Sequence, residues 1–272
     1  MTLLAYDVSG PLGREVPVVL LHAFPLDRTM WAPVAERLAA AGVPSVRVDL
    51  PGLGGSPLPD GAPDLAASAD AVVALLDRLG IARVVVAGVS MGGYVALATA
   101  RRRPDRLAGL ALVDTRAEPD AEPARAHRER VAAAVEGEAG TRALAPMLAG
   151  LLGATSHATR PQLVAQVAAA LQAARPEGVA WSQRAMAARP DATGELAGIT
   201  VPVAVLVGLE DTLTPPEAAR VLAAGLPDAV LTVLPGAGHL SPLEVPDDVA
   251  HALIALALRV TAGPGGGSAP PA

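Results

Sequence analysis

The chain of 272 residues contains no cysteine. A thiolate nucleophile, a disulfide framework and every thiolate metal site are therefore excluded. Lysine is absent too, all 21 basic residues being arginine. Schiff-base catalysis, a pyridoxal phosphate anchor and the phosphate-binding lysine of a P-loop go with it. Aromatic residues are scarce, with two Trp, two Tyr and one Phe. No basic stripe with interleaved aromatics occurs, so at a net charge of −6 nucleic acid is not an expected partner. No apolar run reaches the ~20 residues of a membrane span, and a membrane partner is not expected. The N-terminal "MTLLAYDVSG" has no basic region and is interrupted at Asp7, unlike a secretion signal. The default expectation is a soluble, cytoplasmic protein, with its oligomeric state left open.

Half of the chain, 51%, is hydrophobic, enough for one large domain or one domain carrying an insertion. Short β-branched runs recur: "VPVVLLH" (16–22), "PSVRVDL" (44–50), "ARVVVAG" (82–88), "LAGLALVD" (107–114), "VPVAVLVG" (201–208) and "AVLTVLPG" (229–236). They are apolar nearly throughout, as strands covered on both faces of a parallel sheet are. Helical spacing lies between them, as at Val72, Leu75, Leu76 and Leu79 before Gly80. The fold class is therefore α/β, a mostly parallel twisted sheet with helices on both faces. From 116 to 198 no strand run occurs, and the segment is Ala-rich, helical in period and punctuated by proline. The expected organisation is a core of residues 1–115 and 199–260, a helical insertion at 116–198 and a disordered tail at 261–272.

The stretch "GVSMG" (88–92) follows a buried strand and precedes a helix. That is the setting of a nucleophile elbow, which lifts a serine hydroxyl above the sheet edge and aims the next backbone N–H, from Met91, in front of it. A serine needs a base. Of the five histidines, His239 stands in a glycine-flanked loop just after the last strand run, where this architecture puts reactive groups. An acid is then needed to orient the histidine. Asp211 and Glu210 follow the preceding strand, and Asp114, at the end of the strand after the elbow helix, is a rival. In "TPPE" (214–217), Thr214, Pro215 and Glu217 have the spacing of a helix start with a capping box.

Five segments together resemble the α/β-hydrolase family over about residues 14–258: "HAFP" (22–25), "DLPGLGGS" (49–56), "GVSMGG" (88–93), "GLEDTLTP" (208–215) and "GAGHLSPLEVP" (236–246). The wording is most similar to the capped esterase, enol-lactonase and cofactor-free haloperoxidase branch. The resemblance implies Ser90 as nucleophile, His239 as base and Asp211 as its acid. It implies an oxyanion hole from the N–H groups of Phe24 and Met91, a cap built from the insertion, and neither a metal nor an organic cofactor. His22 holds the oxyanion loop in such relatives, and Ala23 departs from them by standing where glycine is commoner. A serine at the elbow separates the chain from dehalogenase and epoxide-hydrolase relatives, which carry aspartate there. The implied activity is cleavage of small, uncharged carboxylic esters or lactones. The alternatives are perhydrolase chemistry on the same triad and a non-enzymatic sensor of a small ligand. Trp31 suits a helix core. Met147 is a candidate for lining the substrate pocket, and so is Trp181, for which packing inside the cap is the competing reading.

Overall fold

The computed structural model describes residues 3–13 and 15–262. Its seven strands are β1 (Tyr6–Ser9), β2 (Val18–Leu21), β3 (Ser45–Val48), β4 (Val84–Val89), β5 (Leu107–Val113), β6 (Val203–Gly208) and β7 (Ala229–Leu234). They form one sheet in the order β1-β3-β2-β4-β5-β6-β7. Every pairing is parallel except β1 with β3. The central strands β2, β4, β5 and β6 are buried at every residue, which is why their sequences show no alternation. The edge strands are only partly covered. β1 escapes a reading based on apolar runs, because Tyr6 and Val8 are its only apolar residues and Val8 is exposed.

Helices fill the connections: α1 (Ala32–Ala40), α2 (Leu65–Arg78), α3 (Met91–Arg102), α4 (Glu122–Glu136), α5 (Leu148–Leu151), α6 (Ala154–Thr159), α7 (Pro161–Ala173), α8 (Pro176–Ala187), α9 (Pro216–Gly225), α10 (Ser241–Glu244) and α11 (Pro246–Ala262). On the sheet α1 packs with α11 and α2 packs with α3. Trp31 is fully buried just ahead of α1. No described helix is long and apolar enough to cross a membrane.

Between β5 and β6 the chain is helical, with α4 packed on α8. Prolines stand in the first turns of α4, α7 and α8. There the missing N–H costs nothing, so these prolines start helices rather than break them. Of the tail expected to be disordered, 261–272, the first two residues belong to α11, and 263–272 lie outside the described residues.

The strand order sets where a site can form. The chain leaves β2 towards β3 on one side and resumes as β4 on the other. Loops that leave the carboxyl ends of β2 and β4 therefore diverge and open a crevice between them. Phe24 follows β2, and Ser90 follows β4.

Candidate active site

Ser90 bridges β4 and α3 in a left-handed conformation, with φ 52° and ψ −112°. Such geometry in a non-glycine residue costs about 1–3 kcal/mol and persists only where the surroundings enforce it. Two hydrogen bonds do so: Ser90 N donates to the Val113 carbonyl at 3.0 Å, and Thr115 Oγ1 donates to the Ser90 carbonyl at 2.9 Å. The glycines of "GVSMGG" answer to space. A Cβ on Gly88 would overlap the Gly92 carbonyl, and one on Gly92 would overlap the Leu21 carbonyl. Gly92→Ala should therefore push α3 away from β2 and lower the melting temperature by several degrees, for a cost of about 1–3 kcal/mol. Thermal unfolding followed by circular dichroism checks this, and an unchanged midpoint would refute it.

His239 lies in the loop after β7 and is 3% exposed. Its Nε2 is 2.8 Å from Ser90 Oγ, and its Nδ1 is 2.8 Å from Asp211 Oδ2. A carboxylate accepts only, so Nδ1 carries the proton and Nε2 turns its lone pair to the serine. Asp211, in the loop after β6, is also 3% exposed. Its Oδ1 accepts from Leu213 N and Thr214 N at 2.8 and 2.9 Å, and its Oδ2 accepts from Thr214 Oγ1 at 2.6 Å. The expected capping box is thus not formed. Thr214 spends its hydroxyl on Asp211, α9 begins one residue late with Pro215 as its cap, and Glu217 pairs with Arg220 instead.

The electrostatics agree with this geometry. Burial pushes the Asp211 carboxyl up, but the His239 and Thr214 hydrogen bonds outweigh it and hold the group below the usual carboxylate range. Burial likewise pushes His239 down, and the Asp211 hydrogen bond and charge, helped by Asp114, bring it above its ordinary value.

The other acids are engaged elsewhere. Glu210 accepts from Thr155 N at 2.8 Å and Thr155 Oγ1 at 2.5 Å, facing α6 rather than His239. Asp114, fully buried at φ 45°, accepts from Gly208 N at 2.8 Å and from Ser241 Oγ at 2.6 Å. Burial, reinforced by the Asp211 charge, raises its pKa to about 7. His22 accepts from Leu50 N at Nε2, 2.8 Å, and donates from Nδ1 to the Ala23 carbonyl at 2.9 Å. Burial lowers its pKa, so it stays neutral and ties the Phe24 loop to the turn after β3.

Met91 opens α3, so its N–H has no intrahelical acceptor. Among the described residues neither Met91 N nor Phe24 N meets a protein acceptor. Ser90 and His239 open into a cavity of about 530 Å³, also lined by Phe24, Met147, Leu213 and Met186. Trp181 does not line it. It sits buried on α8, about 200° round the helix from Gln183, which does face the cavity. A helix period in the sequence marks faces without saying which one meets the site. Among the described residues no group of three or more His, Asp or Glu is disposed to hold a metal ion.

Two further residues shape the site without a local sequence signal for that role. Buried Glu244 accepts from Gly238 N and Leu240 N at 2.9 and 3.3 Å, and from Gly153 N at 2.8 Å. It fastens the His239 loop to the residue that precedes α6. Arg116, just after β5, lies in the cavity wall.

A family model described as "Alpha/beta hydrolase family" matches residues 18–252. A pimeloyl-[acyl-carrier protein] methyl ester esterase of Chromobacterium violaceum is 37% identical over 251 residues, covering 89% of this chain and 94% of that protein. Among solved structures, a malate-bound thermophilic esterase from Thermogutta terrifontis superposes with a TM-score of 0.90 at 39% identity, covering 94% of this chain and 93% of that one. The enol-lactonase from Burkholderia xenovorans LB400 does so with a TM-score of 0.87 at 30% identity, covering 95% and 97%.

Proposed function

Because the chain belongs to the alpha/beta hydrolase family, we propose that it is a serine hydrolase that cleaves small carboxylic esters or lactones through an acyl-enzyme. The observation that carries this reading is the continuous relay Ser90 Oγ, His239 Nε2, His239 Nδ1, Asp211 Oδ2, with 2.8 Å at each junction. The esterases and the enol-lactonase among its relatives support the reaction class.

Ser90 Oγ attacks the carbonyl carbon while His239 Nε2 takes its proton. The Phe24 and Met91 N–H groups receive the charge that develops on the carbonyl oxygen. His239 then protonates the departing alcohol, which in a lactone stays tethered to the acyl group. Water, deprotonated by His239, releases the acid and restores Ser90. Asp211 keeps the imidazole in the working tautomer and balances its positive charge. Residues 116–198 act as a cap over the core of 1–115 and 199–260, and Met147 from that cap contacts the acyl or alcohol group.

Turnover of a panel of p-nitrophenyl esters as a function of pH tests the reading. His239 acts as a base only when neutral, so kcat/KM should rise with pH through a single ionisation above ~6.5, the unperturbed histidine value. Asp211 raises that pKa, so Asp211→Asn should move the midpoint of its residual activity to lower pH. A profile flat from about pH 5 to 9 would remove His239 from the mechanism.

A further inference from the structure

Among the described residues, the cavity in front of Ser90 is lined by two arginines and two histidines and by no carboxylate. One histidine is His239, and the other, His127, stands exposed at the rim. Of the arginines, Arg128 already has a carboxylate partner, though a shared one. It pairs with Asp120, whose other oxygen holds Arg189 at 2.8 Å, and it donates to Gln183 Oε1 at 3.1 Å.

Arg116 is different. Its Nη2 donates to the Leu213 carbonyl, and its Nε is buried with no hydrogen-bond partner. Among the described residues no carboxylate pairs with it. The two acids that line a small neighbouring cleft with Arg116 are committed elsewhere: Asp64 caps α2 by accepting from Ala66 N at 2.8 Å, and Glu195 pairs with Arg101 at 3.6 Å. The Arg116 backbone is held relative to the nucleophile, because the adjoining Thr115 is bonded to the Ser90 carbonyl. The guanidinium charge is felt at His239, where it opposes the effect of Asp211.

A half-buried guanidinium with spare donors and no counter-ion is costly, and an apolar wall of Met147, Leu151 and Leu213 beside it adds to the cost. A carboxylate on the ligand removes that cost. It matches the planar fork of arginine, and its charge-assisted hydrogen bonds gain strength away from water. We propose that Arg116 is the specificity-determining residue of this cavity, and that the substrate is an ester or lactone bearing a second, free carboxylate, such as a monoester of a dicarboxylic acid. This proposal rests on the hydrolase reading of Ser90, and it replaces the uncharged substrate expected from the sequence.

The test compares monomethyl esters of succinate, glutarate and adipate with neutral analogues in which an isopropyl group replaces the carboxylate, following proton release. For the best acid, kcat/KM should exceed that of its neutral analogue by about 10- to 100-fold. Arg116→Gln should abolish most of that ratio, and Arg116→Lys should retain part of it. A binding arm is independent of turnover. Free glutarate should bind the Ser90→Ala protein in calorimetry, and at least about tenfold more weakly once Arg116→Gln is added. A neutral analogue cleaved as well as the acid, or a ratio that Arg116→Gln leaves unchanged, overturns the proposal. If no ester is turned over, the hydrolase reading fails and the ester or lactone substrate is overturned with it, while glutarate binding that depends on Arg116 upholds carboxylate recognition by this residue and its absence overturns that too.

Discussion

Ser90→Ala and His239→Ala should each lower kcat by about 10³-fold or more, and the double variant should be hardly slower than either single one. The reason is the 2.8 Å contact between Ser90 Oγ and His239 Nε2. A serine hydroxyl without its base is a weak nucleophile, and a base without the serine has no proton to take, so loss of either disables the same step. What remains in each variant is the proposed oxyanion hole and the cavity. Ser90→Ala leaves in place the Val113 and Thr115 hydrogen bonds that enforce the strained φ, whereas His239→Ala empties buried space and takes a partner from Asp211, so circular dichroism should show both variants folded before their rates are compared. Steady-state kinetics on the two single variants and the double variant decide the matter. Losses that multiply would mean that the two groups act in separate steps.

Asp211→Asn should be comparably damaging, with a fall in kcat of ~10⁴, the loss measured for the same change in another serine hydrolase. The amide offers either an acceptor or a donor to His239 Nδ1. The Leu213 and Thr214 N–H groups both donate to Oδ1, so in the variant they hold the amide oxygen there and turn its NH2 group towards His239 Nδ1. The imidazole then presents N–H rather than a lone pair to Ser90. Asp114→Asn is the informative contrast. Asp114 accepts its hydrogen bonds from Gly208 N and Ser241 and none from His239, so the change should cost about 1–3 kcal/mol of stability through a mispaired buried group while kcat stays within a few-fold. If Asp114→Asn is the dead variant and Asp211→Asn the active one, the acid has been misassigned.

These contrasts also mark where local sequence stops informing on structure. Fully buried strands announce themselves through unbroken apolar runs, and the elbow does so because only small residues fit where α3 meets β2 and β4. The order Ser90, Asp211, His239 is legible because each residue terminates or follows a strand. A two-sided edge strand such as β1 has too little apolar content to register. The capping box at Thr214 looked sound locally and lost to a tertiary demand, the Asp211 carboxylate. Trp181 illustrates the same limit on a helix, where period identifies a face but not its neighbour. Arg116 and Glu244 acquire meaning only from the tertiary structure, Arg116 because no carboxylate among the described residues pairs with it and Glu244 because it meets backbone N–H groups that include Gly153.

The central claim is that Ser90 is the one nucleophile of this site, and a fluorophosphonate probe followed by peptide mass spectrometry addresses it most directly. A single adduct on the peptide that contains Ser90, absent from the Ser90→Ala protein, is the result the account predicts. An adduct on another residue, or labelling that survives Ser90→Ala, would contradict it.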